Sequence, residues 1–357
     1  MPALEQQSRV VEAYRDAEVY LLRLIAESVD GSGTQRHYIE QQRELARLLK
    51  LAQAKLDQLA GHLDEAVLRE MEVEYAAAVR EAIAQTPSPV PSLIPTAAVE
   101  ATAVSTATAV VSQHPQILRS VHDAYQEAQR LTVTRALVSG ESNRQAVQSM
   151  LNQLADRGIT SFRDAAGRRW GMDTYADMAV RTGRMNALNQ GHMDGWRDAG
   201  VELVKVSTHP ASHPWCYPYQ GKLLAIRGEA GTHTLTDRVT GEQVTVTAVA
   251  TFQDAVARGY HHQNCRHSEG AYIPGFSYTD PEVVSEEVNE RQYKALQRQR
   301  QIERNIRQWR RREAVALTPE ERAHARRKVR AWQAAQREHV GAHDFLTRRY
   351  ERERTRA

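Results

Sequence analysis

Apolar residues recur at helical spacing along most of this chain, and they alternate at strand spacing in one stretch only. In residues 10–29, Val10, Ala13, Ala17, Tyr20, Leu21, Leu24 and Ile25 share one side of a 3.6-residue repeat, predicting an amphipathic helix that Asp30-Gly31-Ser32-Gly33 ends. Residues 38–84 carry a second stripe of Leu45, Leu48, Leu49, Ala52, Leu56, Leu59 and Leu63, and Gly61 marks where that helix would break. The seam suits a coiled coil or ordinary bundle packing equally. Together, residues 1–84 form an N-terminal helical region.

Residues 85–111 read as a linker. Pro87, Pro89, Pro91 and Pro95 remove backbone donors and disfavour helix before them, while the Ala/Thr/Val-rich run 97–111 reads as helix. Residues 112–200 are a further helical region. It holds a helix over 117–138, one capped by Ser142 and ending before Gly158, a hairpin over 162–170 turning at Ala166-Gly167, and a helix over 173–199 stopped by Gly200.

The period changes at residue 201. Residues 202–207 alternate as a strand, 222–226 form a second, and 232–237 with 243–247 flank Thr240-Gly241 as a hairpin. A short helix over 251–258 closes at Gly259. Residues 201–279 are thus a small mixed α+β unit, and residues 280–357 are helical again. The fold class expected is α+β, with helical N-terminal arms, a metal-stapled α+β unit and a basic helical C-terminal tail.

Charge sharpens this division. The net charge is only +3, yet residues 291–357 hold 20 Lys/Arg against 8 Asp/Glu, and the rest holds 27 against 36. An acidic body therefore carries a basic tail. There is no basic stretch leading into an apolar leader, and no apolar run approaches the roughly 20 residues that span a bilayer. The expectation is a protein made in a cytoplasm and not held in a membrane. Two cysteines are too few for a disulfide framework.

Those two cysteines mark the chemistry. His209-Pro-Ala-Ser-His213-Pro-Trp-Cys216 follows the first strand, and His261-His262-Gln-Asn-Cys265-Arg-His267 follows the short helix. Zinc takes four thiolate and imidazole ligands in a tetrahedron, commonly two from each of two loops. The first-choice set is His209, Cys216, Cys265 and His267, with His262 and His213 as alternates. Buried thiols among polar loop histidines, or a disulfide, are the plainer readings. No His-Glu-x-x-His element exists, so a filled structural site is favoured over a catalytic one. A Cys–His nucleophilic dyad remains as an enzymatic alternative. A second is a loose likeness of Arg181, Ser207-Thr208 and Glu242 to ADP-ribosyltransferase elements, without the required Glu-x-Glu or Gln-x-Glu.

The order of short motifs resembles the phage minor capsid protein 2 family. They are Trp170-Gly-Met-Asp-Thr-Tyr175 through Arg181-Thr182, Asn189-Gln-Gly191, Leu203 to His209, Tyr219-Gln220-Gly221-Lys222, and Gly259 to Gly275 around Asn264-Cys265-Arg266-His267. In that family the first loop typically reads Ser-x-His, then Arg-Pro-x-His, then Trp-Gln-Gly. Here His213 stands for the Arg, Cys216 for the second His and Tyr219 for the Trp. Exchanging His for Cys keeps a zinc ligand, so the resemblance points to Cys216 over His213. The resemblance implies a few-copy head component in the virion, with portal and capsid proteins as partners and no catalytic residues to carry over.

The tail is read on physics alone. Arg298, Arg304, Arg307, Arg310, Arg311 and Arg312 wrap most of a helix. They suit nonspecific contact with packaged DNA, a solvated helix neutralised by nearby glutamates, or docking on an acidic protein surface.

Overall fold

The computed structural model describes residues 8–29, 38–86, 96–138, 143–163, 167, 169–262, 265–276 and 282–354. The Pro-rich strap, Ser142, Ala166 and Asn264 lie outside the described residues. The chain is mostly helical, with a mixed sheet formed by its middle part. Five helices come first: α1 (Arg9–Ser28), α2 (Tyr38–Ala84), α3 (Thr96–Val111), α4 (His114–Val138) and α5 (Asn143–Arg157). A small hairpin of β1 (Thr160–Arg163) and β2 (Arg169–Gly171) leads into α6 (Met172–Asp198). Then come β3 (Leu203–Val206), β4 (Leu223–Ala225), β5 (Gly231–Thr236), β6 (Gln243–Thr251), α7 (Phe252–Ala257) and β7 (Glu269–Ala271). Helices α8 (Glu286–Ala314) and α9 (Pro319–Gly341) follow.

Local chemistry sets many of these bounds. Ser8 caps α1, its hydroxyl accepting the Val11 N–H, and Thr251 caps α7 by accepting from Asp254 N at 3.0 Å. Thr318-Pro319 starts α9, with the Thr318 hydroxyl accepting from Glu321 N at 3.2 Å and proline at the first turn where no donor is needed. The expected break at Gly61 does not occur. Helix α2 runs through it, because a glycine in open space costs helix stability without forcing a bend.

The chain divides into two compact units, neither of them continuous in sequence. One comprises Leu68–Ala103 and Arg181–Arg298, and the other Gln7–Val67, Val104–Val180 and Gln299–Ala357.

The first unit holds the sheet, in the order β5-β6-β4-β3-β7. Strand β3 pairs antiparallel with β4 and β7, β4 runs parallel to β6, and β5–β6 is the expected hairpin. Strand β7 was not legible in sequence. Three residues, one of them glycine, show no alternation to detect. One sheet face packs Val204, Val206, Leu224 and Ala271 against Ala82, Met193 and Trp196. At the β7 edge the Gln85 side chain accepts the Ala271 N–H at 3.0 Å.

Within this unit α2 and α6 approach closely. A Cβ at Gly191 would lie 2.7 Å from the Tyr75 carbonyl oxygen and 3.0 Å from the Ala78 Cβ. Beside it Arg184 Nε donates to Glu74 Oε1 at 3.0 Å, and Tyr75 OH donates to Asp194 at 3.0 Å. Gly191→Ala is expected to cost about 1–3 kcal/mol through forced separation of the helices. Gly61→Ala, in open space, is expected to gain up to about 1 kcal/mol from helix propensity. Urea-denaturation midpoints of the two variants check this; similar shifts for both would contradict it.

In the second unit the tail is not a loose arm. Ile302 and Ile306 of α8 pack against Val329 of α9, with Trp309 and Trp332 alongside. Arg311 donates to the Ala155 carbonyl at 2.7 Å and pairs with Glu18 of α1 at 3.3 Å. Glu18 also accepts the Ile159 N–H at 2.9 Å.

Candidate metal centre

Two loops of the first unit build the site. The first leaves β3, and its Cys216 and Tyr217 N–H groups both donate to the His213 carbonyl, at 2.9 and 3.0 Å. The tight turn continues through the helical turn Tyr217–Tyr219 to Gly221, whose φ of 68° suits glycine. The second leaves α7, and Cys265 N donates back to the His262 carbonyl at 2.8 Å. The loops are tied together where Ser207 N donates to Ser268 O at 2.8 Å and Ser268 N to the Ser207 hydroxyl at 3.0 Å.

This fold brings both thiols to one point. Cys216 Sγ and Cys265 Sγ lie 3.6 Å apart, both unoxidised and buried. That is far beyond the roughly 2.05 Å of a disulfide. His262 joins them, and one ligand atom from each of the three lies within 4.8 Å of the others. A Cys₂His cluster able to coordinate a metal is therefore present, and its histidine is one of the alternates named from the sequence.

The other histidines flank this cluster. His267 is buried, with Nδ1 3.5 Å from Cys265 Sγ and Nε2 3.3 Å from Gln220 Oε1. His209 lies with its ring centroid 4.0 Å from that of His267, and its buried Nε2 has no hydrogen-bond partner. His213 has its ring 4.1 Å from that of His262. His209 and His267 are thus neighbours of each other and of the thiol pair, outside the tight trio.

The electrostatics favour a neutral imidazole at His209 and an ionised sulfur at Cys265. Burial, with His267 adding to it, pulls His209 down to about 4. The hydrogen bond between the sulfurs pushes Cys216 up and Cys265 well down, and His261 and His267 further stabilise a Cys265 thiolate. His261 is the exception. Burial opposes its charge, but Glu269 outweighs that and raises it to about 10. Glu269, itself buried, accepts from His261 Nε2 at 2.9 Å and from the Tyr260 hydroxyl.

Sequence reading missed the groups that hold the first loop. Asn289 of α8 accepts the Ser212 N–H at 2.8 Å and donates to the Ser212 carbonyl at 3.0 Å, and Gln292 accepts the Ala211 N–H at 3.1 Å. Ala211 and His261 are the non-glycine residues with positive φ among those described, 59° and 57°, one on each loop. Such strain persists only where surroundings over-determine it.

A profile of the phage minor capsid protein 2 family matches residues 3–341. This chain belongs to that family. It is also 25% identical over 227 residues to a protein described as a structural protein of Lactococcus phage LL-H, covering 62% of this chain and 59% of that one. The chain thus matches about three-fifths of that relative's length. No solved structure matches. The resemblance carried by the motif string holds over nearly the whole chain, flanking helices included. Membership gives a phage structural role and argues against an enzymatic one.

The family member's tail arginines divide by their surroundings. Arg307 pairs with Asp173 at 3.7 Å and donates to the Arg352 carbonyl at 2.7 Å. Arg312 forms a two-bond pair with Asp156, and Arg311 is held by Glu18 and Ala155. These three arginines are spent on intramolecular partners. Arg298 and Arg304 are exposed and Arg310 is half-buried. Among the described residues no helix is long and apolar enough to cross a membrane.

Proposed function

We propose that this minor capsid protein is a head component, seated at the portal or inner capsid of the virion, whose two site loops are stapled by one structural zinc ion. The observation that carries the metal reading is the unoxidised Cys216–Cys265 pair at 3.6 Å with His262 beside it. Two sulfurs bound at about 2.3 Å to a tetrahedral ion stand about 3.8 Å apart, close to this separation. Thiolate with imidazole is the donor set zinc prefers. His267 is the best fourth ligand through Nδ1, because Gln220 already orients its other nitrogen, as partners of metal-bound histidines commonly do. His209 and His213 are its competitors. The bound ion would supply cross-linking of the two loops.

The enzymatic alternatives gain no support. Cys216 is 0% and Cys265 4% exposed, so neither thiol faces an open cleft as a nucleophile must. Ser207 is engaged with Ser268, and Glu242 sits exposed on the β5–β6 turn.

Elemental analysis of the purified full chain tests the metal, with about one zinc per chain expected. Metal-free protein whose melting is untouched by chelator would refute it. Mass spectrometry of intact particles tests the place, with copy number expected near that of the portal and far below the major capsid protein. Absence from particles would refute the head assignment.

A further inference from the structure

We infer that the exposed face of α9 binds the phosphate backbone of duplex DNA without sequence preference. The inference rests on the proposed place inside the head only for its setting, and its physical basis is independent of the metal.

The longest run of the tail without an acidic residue lies on α9. Residues 322–337 contain Arg322, Arg326, Arg327, Lys328, Arg330 and Arg337 and no Asp or Glu, the nearest acids being Glu320, Glu321 and Glu338. All six cations are exposed. At 100° per residue Arg322, Arg326, Arg330 and Arg337 fall within roughly 80° of one another, with Arg327 adjoining, along about 22 Å of helix. On the same wheel the buried Ala325, Val329 and Gln336 lie to one side of the stripe, about 20–140° from its four arginines, and Arg327 stands opposite them.

The neutralising groups are few. Arg326 pairs with Glu313 at 2.6 Å, and Arg322 donates to the Ala316 carbonyl at 3.4 Å. Lys328 lies 5.8 Å from the Trp309 ring centroid. Among the described residues Arg327, Arg330 and Arg337 have no ion-pair or hydrogen-bond partner. This contrasts with α8, whose Arg307, Arg311 and Arg312 each have a carboxylate. A cationic stripe with no interspersed acid fits a polyanion of uniform charge. An acidic protein patch, by contrast, is met by mixed charges that fix register. Arginine also matches phosphate oxygens two at a time. The amide that falls among these cations, Gln333, already donates to Glu353 at 3.3 Å, so the contact is to backbone.

The test is titration of the full chain onto a labelled random-sequence duplex by fluorescence anisotropy across salt. Phosphate contacts from Arg322, Arg327, Arg330 and Arg337, Arg326 being paired with Glu313, give a log–log salt slope of about −3.6, a loss of about two orders of magnitude in affinity between roughly 50 and 200 mM salt. The triple variant Arg327→Gln, Arg330→Gln, Arg337→Gln is expected to flatten that slope to about −0.9, leaving a loss of about fourfold or less over the same range. The pair Arg298→Gln, Arg304→Gln on α8 is expected to leave the slope unchanged, and circular dichroism confirms that both variants fold. Three results would each overturn the inference: no duplex binding at low salt, a slope the triple variant does not change, or poly-glutamate displacing the chain more effectively than unlabelled DNA. The last would assign the face to an acidic protein surface instead. None of these bears on particle composition, so the head assignment stands or falls separately.

Discussion

In Cys265→Ser, bound zinc is expected to fall from about one equivalent to near none, and the melting temperature of the unit holding the site to fall by about 8–16 °C. Loss of a structural metal belongs to the few changes that cost more than about 4 kcal/mol. In a unit of this size each kcal/mol moves the midpoint by about 2–4 °C. The ligands are brought together only by the fold, so metal affinity and folding free energy are the same quantity at this site. A buried hydroxyl in place of the thiol costs about 1–3 kcal/mol by itself, so the variant alone does not decide. Chelator does. It should lower wild type to the level of the variant and leave the variant unmoved. His262→Ala should behave likewise, since His262 completes the trio with the two sulfurs. Wild type that melts identically with and without chelator would sink the metal reading.

The second large effect concerns the buried charges of the other unit. At pH 8, Arg311→Met is expected to destabilise by about 3–5 kcal/mol, because it strands a buried carboxylate. Glu18 is 1% exposed and Arg311 9%. Burial raises Glu18 from 4.5 to about 7 against the pull of Arg311, with Asp173 raising it further and the Ile159 N–H and Arg307 lowering it. The folded state therefore holds this proton more tightly than the unfolded chain. Ionisation opposes folding, and the group's unfavourable contribution grows as pH climbs from about 4.5 through 7. Without Arg311 the folded-state value rises further. The defect of Arg311→Met should then be greatest at pH 8 and shrink toward pH 5, where Glu18 is protonated in the folded state of both wild type and variant. Urea midpoints at several pH values read this directly. The double variant Glu18→Leu, Arg311→Met should regain much of the loss and lose the pH dependence. A defect of constant size across that range would mean Arg311 acts by packing, not charge.

The β1–β2 hairpin, α6, β3, the β5–β6 hairpin and α7 were all legible because each carries its own period and its own punctuation. So was the membership of Cys216 and Cys265 in one site, since thiols and imidazoles crowd two short segments of a chain that is otherwise poor in them. The choice among His209, His213, His262 and His267 was not legible. It turns on the hydrogen bond from Cys265 N to the His262 carbonyl and on the positive φ of His261, and spacing rules for metal pairs contain neither. The supporting groups Asn289 and Gln292 were hidden for a related reason. They lie some eighty residues away on a helix whose composition speaks only of charge.

What the sequence by itself determined is most of the elements, the family, the two loops that carry the thiols and imidazoles, and the excess of positive charge after residue 290. Each of these depends on residues close together in the chain, or on a string of local motifs. Tertiary structure alone decided which imidazole joins both sulfurs in the tight trio, and which arginines face carboxylates rather than solvent. A side chain's partners and its burial depend on segments far apart in sequence, and α8 and α9, both rich in arginine, differ in what has folded against them.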